Sequence, residues 1–337
     1  MLAGEFSVNQ AENFADITKV PFGTLFLNKP PDSLYQPSIP DLRQKQNPEP
    51  LSDFFYEVLE DIQKKQDWYI EYLTENGFNS LDFVGKYYNA KDIDAEIIAN
   101  DIRKVLSLPI KLKTKTNKEN YLKLLIDRCE NAGILVFRNS MVKNATRKQL
   151  DTSEFRGFVL INDYAPAIFL NMQDMPSAII FTLAHELAHI WLGESGVDDL
   201  DIYGNNPTEI FCNKIAAAVL VSKKEFIKAW NDFEGDFSKI ADCFYVSRLM
   251  IARLALTYEI ISKEQYQSIH NDEYEAFKKL PKKEGAPKFI NMVPGRNSPT
   301  LTNVIVNQAL SGNMLLREAG KLLNVSPQNI MKLGGSN

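Results

Sequence analysis

The chain has 337 residues, 45% of them hydrophobic and 24% charged, which suits two or three small domains or one domain with helical appendages. Thirty-eight basic residues against forty-three acidic ones leave a net charge of −5, and that balance weighs against a broad nucleic-acid footprint. No basic leader with an apolar run opens the sequence, and no apolar stretch reaches the length of a membrane span, so the expected setting is the cytoplasm. Three cysteines, Cys129, Cys212 and Cys243, lie far apart with no C-x-x-C pair, so neither a disulfide framework nor a cysteine-rich zinc site is suggested.

Residues 8–18 read as a short helix, followed by an apolar stretch over 20–27. Between Lys29 and Pro50 stand six prolines, each removing a backbone donor, so this segment is expected to be a strap. Helical spacing of apolar residues follows over 51–75, 92–106 and 118–131, with Pro109 stopping the second pattern and Gly133 capping the third. The period then changes. Short β-rich runs at 134–137, 158–161 and 167–170, bounded by Asn, Asp, Gly or Pro, predict a small sheet of three to four strands. A largely apolar helix follows, reaching Leu192 and ending at Gly193.

That helix carries His185-Glu186-Leu187-Ala188-His189. Residues four apart on a helix project from one face, about 6 Å apart at Cβ, so both imidazoles can reach one Zn²⁺ while Glu186 stands beside the metal as a base. Two of the three histidines in the chain sit in this motif; the third, His270, lies in a polar helical stretch and reads as a surface residue. A catalytic zinc takes three protein ligands and keeps a position open. Glu194, Asp198, Asp199, Asp201 and Glu209 are the nearby candidates for the third. Glu209 opens a helix over 209–221, and Asn206-Pro207-Thr208-Glu209 also fits a capping box, so spacing alone leaves it as ligand or cap. Downstream, residues 240–254 look like two helices joined by a tight turn, with Arg248 and Arg253 too little charge for duplex binding. A Pro/Gly/Lys-rich linker over 280–299 precedes a C-terminal piece with a helix-turn-helix look, 315–325 and then Ser326-Pro327 opening a further helix.

Several runs together resemble the ImmA/IrrE family of bacterial metallopeptidases: Phe155-Arg156-Gly157-Phe158, the stretch 165–171, the stretch 181–193, and Glu209-Ile210-Phe211-Cys212-Asn213-Lys214-Ile215-Ala216-Ala217. The last corresponds to that family's ExxAN-x-FA pattern, with Cys212 for the usual Ala and Ile215 for the usual Phe. The resemblance implies that Glu209 is the third zinc ligand beside His185 and His189, and that Glu186 is catalytic. It implies cleavage of a co-encoded Xre-type helix-turn-helix repressor or antitoxin, relieving repression of stress, mobile-element or phage genes. Residues 8–27 with the strap resemble a truncated Xre-type helix-turn-helix domain without its recognition helix, which places direct DNA reading by it in doubt.

The expected architecture is thus α+β, mainly helical, with a small sheet beside the HExxH helix in a zincin-like core and helical C-terminal units. Expected boundaries are 1–50 for the remnant and strap, 51–235 for the zinc peptidase domain, 236–280 for a helix-turn-helix-like unit, and 281–337 for a linker and small helical unit. The rival readings are a non-proteolytic zinc-containing regulator or toxin-antitoxin component, and a DNA-binding transcription factor. Main-chain pairing of an extended substrate is expected along 168–171, with Tyr164 and Tyr203 as weak candidates for the oxyanion donor.

Overall fold

The computed structural model describes residues 7–8, 10–11, 14–15, 22–27, 29, 51–90, 93–109, 116–198, 206–278 and 289–335. The chain divides into two compact units, residues 1–38 and 39–337. In the first, residues 8, 10, 11, 14 and 15 are helical, and Phe22–Phe26 forms a 3-10 helix whose two phenylalanine rings meet edge to face at 5.2 Å. The remainder of 8–18 and the proline strap lie outside the described residues.

The second unit is built on strand alternation. Four strands, β1 (Leu135–Asn139), β2 (Gly157–Leu160), β3 (Ala167–Asn171) and β4 (Gly196–Asp198), form one sheet in the order β1-β3-β2-β4. β1 and β3 run parallel, and the other pairs are antiparallel. Because successive side chains point to opposite faces, β3 sends Ile168 and Leu170 into one core and Ala167 and Phe169 into another. Both faces are therefore covered. On the first lie α2 (Ala95–Val105), α3 (Lys118–Asn131), α4 (Pro176–Leu192) and α5 (Pro207–Leu220). On the second lies α1 (Asp53–Glu75), where Gln66 Nε2 donates to the carbonyls of Leu160 and Ala165 at 3.0 and 2.7 Å. This is the expected α+β arrangement with its small sheet beside the HExxH helix.

Helices α6 (Lys223–Asp232), α7 (Phe237–Phe244), α8 (Arg248–Thr257) and α9 (Lys263–Lys278) follow. α7 and α8 are the two helices expected over 240–254; they turn at Tyr245, whose φ of 60° is left-handed, and bury Ile240, Val246, Ile251 and Ala255 in the first core. Arg248 pairs with Glu273 at 2.8 Å and Arg253 lies over the Tyr266 ring, so this pair is a packing element. Of the 280–299 stretch expected as a linker, residues 280–288 lie outside the described residues. Phe289–Arg296 is a helix, α10, with Pro294 inside it. Pro294 and Gly295 mask the helical period in the sequence, but Val293 is buried and the packing overrides the weak propensity. α11 (Pro299–Leu310), which no sequence pattern marked, precedes α12 (Leu316–Leu323) and α13 (Pro327–Gly334). Leu301, Ile305, Ala319, Leu323 and Ile330 join the same core as α1 and the sheet's second face. Buried Glu130 holds this region to the sheet: it accepts from Val136 N at 2.7 Å, from Ser298 Oγ at 2.9 Å and from Thr300 N at 3.0 Å. No helix among the described residues is long and apolar enough to cross a membrane.

Candidate metal centre

α4 is apolar nearly all round, and the residues from Thr182 through Leu192 are buried without a break. A helix of that character belongs in the middle of a protein, so its polar members must find partners there. Pro176 at its first position fits a site where no amide donor is needed, and Gly193 ends it in left-handed geometry. Its last carbonyls are met from outside: Gly85 N donates to Ile190 O at 2.8 Å and Tyr87 N to Trp191 O at 2.9 Å. The Trp191 ring stacks on Phe83, and its indole N–H donates to Asp101 at 2.9 Å. The helix is thereby fixed at its C-terminal end, one turn from His189.

His185, Glu186, His189 and Glu209 are all at most 1% exposed. α5, packed against α4, carries Glu209 at its third position and turns the carboxylate toward both imidazoles. Oε2 lies 3.0 Å from His185 Nε2, and Oε1 lies 3.4 Å from His189 Nε2. The two ring nitrogens are themselves 3.0 Å apart. The alternative capping role recedes, because the Asn206 side chain accepts from Thr208 N at 3.0 Å and caps the helix itself.

This donor set fits a zinc ion. Zinc ligands at about 2.0–2.1 Å in tetrahedral array stand about 3.4 Å from one another, close to the spacing seen. The tautomer agrees. Asn213 Oδ1 lies 3.0 Å from His185 Nδ1 and can only accept, so Nδ1 carries the hydrogen and Nε2 offers its lone pair toward Glu209 and His189. Among the described residues His185, His189 and Glu209 form the one group of three such side chains close enough to share a cation. Burial pushes the Glu209 carboxyl up, and protonated imidazoles at His185 and His189 would hold it well below the usual carboxylate range; in the neutral tautomer set by Asn213, a bound cation takes over that part.

Glu186 lies on the sheet side of the same helix. A Cβ built on Gly157 would stand 2.8 Å from Glu186 Oε1, 2.7 Å from Thr182 Cγ2 and 3.0 Å from Phe169 O. Glycine is thus required where β2 passes the carboxylate, a role that spacing in the sequence did not disclose. Asn213 was also unassigned, although it sits one helical turn beyond Glu209 on the same face, a spacing that could have marked it. Such outer partners fix the orientation of a ligating imidazole, and their loss costs about 10- to 100-fold in metal affinity. Asn213→Ala is expected to weaken zinc binding by about tenfold in a chelator competition titration.

Asp199, Asp201 and Tyr203 lie outside the described residues, as does the side chain of Asp198. Glu194 is not in the group, and Tyr164 packs into the core on the far side of the sheet. His270 is half-buried against Tyr266. Residues 168–171, expected as an open edge, form β3, which is paired on both sides by β1 and β2; the terminal strand nearest Glu186 is β4, whose Asp198 pairs with Gly157.

Residues 129–255 match the family model Peptidase_M78, the IrrE N-terminal-like domain. The match covers 127 of the 337 residues, so the likeness is one of this segment. All four buried polar residues of the centre, with Gly157 and Asn213, fall inside the IrrE-like segment, and the match stops short of the residues read as a helix-turn-helix remnant. Residues 297–336 match a second model, a domain of unknown function, DUF8813. No curated protein matches the chain. Among solved structures, a Mycobacterium tuberculosis transcriptional regulator is similar at 14% identity, with 58% of this chain and 51% of the regulator covered and a TM-score of 0.30. The chain thus spans about half the length of that regulator, and the likeness is too low to carry an argument.

Proposed function

We propose that this chain is a zinc-dependent endopeptidase of the cytoplasm whose substrate is a helix-turn-helix repressor or antitoxin encoded beside it. The observation that carries the reading is the convergence of His185, His189 and Glu209 within about hydrogen-bond distance of one another, buried in a segment that matches a peptidase family model. Zinc bound there supplies a Lewis acid that polarises the scissile carbonyl and acidifies a water. The residues of the chain do the rest. Asn213 keeps the His185 lone pair aimed inward, and Gly157 leaves room for the Glu186 carboxylate. Glu186 takes the proton of the attacking water and delivers it to the leaving amine. A purely structural zinc site has no use for a buried carboxylate in that place, which favours catalysis over a non-proteolytic regulator. β4, the terminal strand of the sheet among the described residues and next to Gly157, offers an extended substrate main-chain pairing.

The test is direct. The purified chain is incubated with the neighbouring helix-turn-helix protein and the fragments are read by mass spectrometry. Cleavage at a defined bond is expected, abolished by a zinc chelator and restored by added Zn²⁺. Cleavage that persists without metal sinks the reading.

A further inference from the structure

The C-terminal helices carry a second constellation, remote in sequence from the metal centre. α11, α12 and α13 pack on one another through Leu301, Ile305, Ala319, Leu323 and Ile330. α12 and α13 are joined by a three-residue turn, Asn324 to Ser326, with Asn324 left-handed at φ 57°. The turn is tight: a Cβ on Gly320 would lie 2.7 Å from Val325 O, so glycine is needed where the chain folds back. Two helices joined by a short turn, with a third packed across them, are the frame of a helix-turn-helix.

Beside this turn a groove of about 640 Å³ is lined by Lys64 of α1, by Arg317 and Lys321 of α12, and by Ser326 and Asn329 at the start of α13. Lys64, Arg317 and Lys321 are exposed, and none of the three pairs with a carboxylate among the described residues. Asp61 of α1 is engaged by Lys65 and by Asn324 Nδ2, which holds α1 against the turn, while Glu60 and Asp67 stand one helical turn from Lys64 on the same helix. Glu318 is the one acid on α12. Three cations from two separate elements, none paired with a carboxylate among the described residues, thus line one groove in a chain of net charge −5. Their spread across helix-turn-helix geometry, with exposed Gln328 on the first turn of α13, matches phosphate gripping beside a helix that reads base edges.

We infer that this groove is a docking site for the phosphodiester backbone of duplex DNA, with the start of α13 directed into the major groove. The inference is independent of the metal centre, and it gives the DUF8813 segment a role. It also differs from the expectation set by net charge, because what attracts the backbone is local placement and not the total.

The experiment is fluorescence anisotropy of a labelled random-sequence duplex with the full chain, between about 50 and 200 mM salt. Three phosphate contacts predict a slope of log affinity against log salt of about −2.7, hence a loss of about fortyfold across that range. In a Lys64→Ala, Arg317→Ala, Lys321→Ala variant, whose exposed changes leave the circular dichroism and melting curve unchanged, the slope should fall close to zero. Arg317→Lys alone should keep it. Three results overturn the inference: no anisotropy change up to about 10⁻⁴ M protein; an unchanged slope in the triple variant; or cation-dependent thermal stabilisation by inorganic phosphate with no response to duplex, which assigns the groove to a small phosphate.

Discussion

Glu186→Gln is expected to retain zinc and to lose cleavage by about 10³-fold. The substitution keeps the side-chain volume in a place with none to spare, between α4 and Gly157. It removes only the ability to accept a proton, and a positioned general base contributes about 10²–10⁴-fold. Zinc should stay because His185, His189 and Glu209 form the converging group without Glu186. The paired measurements are metal content per chain and the rate of fragment release from the co-encoded substrate. Unchanged cleavage removes Glu186 from the mechanism; lost zinc makes it a ligand or a folding residue instead.

The second large effect is expected of Glu209→Ala. Removing one of three ligands from a buried site should lower zinc affinity by more than about 100-fold, or about 2.7 kcal/mol, since even outer partners cost 10- to 100-fold. The variant separates two roles. If Glu209 merely capped its helix, its loss would cost about 1 kcal/mol of stability with zinc retained. Asn206 already caps α5, so that outcome is not expected. Chelator competition reads the affinity, and melting with and without Zn²⁺ reads the stability. A variant that binds zinc as the parent does removes the three-ligand reading.

The parts of this molecule that were legible in the sequence are those written in local periodicity. α1 and α3 match their expected ranges to within two residues, α2 begins a little later than expected, and Gly193 and Gly133 stand at the helix ends assigned to them. The HExxH helix was legible because i, i+4 spacing is a geometric statement in itself. Glu209 was ambiguous for a physical reason: the third position of a helix serves a cap and a ligand equally well, and only the direction of the carboxylate decides. Contacts between distant segments were not legible. β4 has three residues, too few to alternate, and the interior position of β3 follows from a chain that returns between β1 and β2. Gly157 opposite Glu186 is a close approach across 29 positions, and Lys64 beside Lys321 spans far more. α10 was hidden by its own Pro294, and α11 by the absence of a charged face to set its period.

The two-sided sheet constrains how this chain can vary. Gly157 and Val159 of β2 face α4, while Phe158 and Leu160 face α1 and the C-terminal helices. A slip of one residue in β2 would exchange these sets. Phe158 would then bring its ring to the place beside Glu186 where not even a methyl group fits, and glycine would leave a void beneath Phe55 and Phe169. Length changes in the segment before Gly157 must therefore be absorbed by the loop that ends at Phe155, never by the strand. The register of a four-residue strand is held from both sides at once, by the carboxylate on one and an aromatic stack on the other.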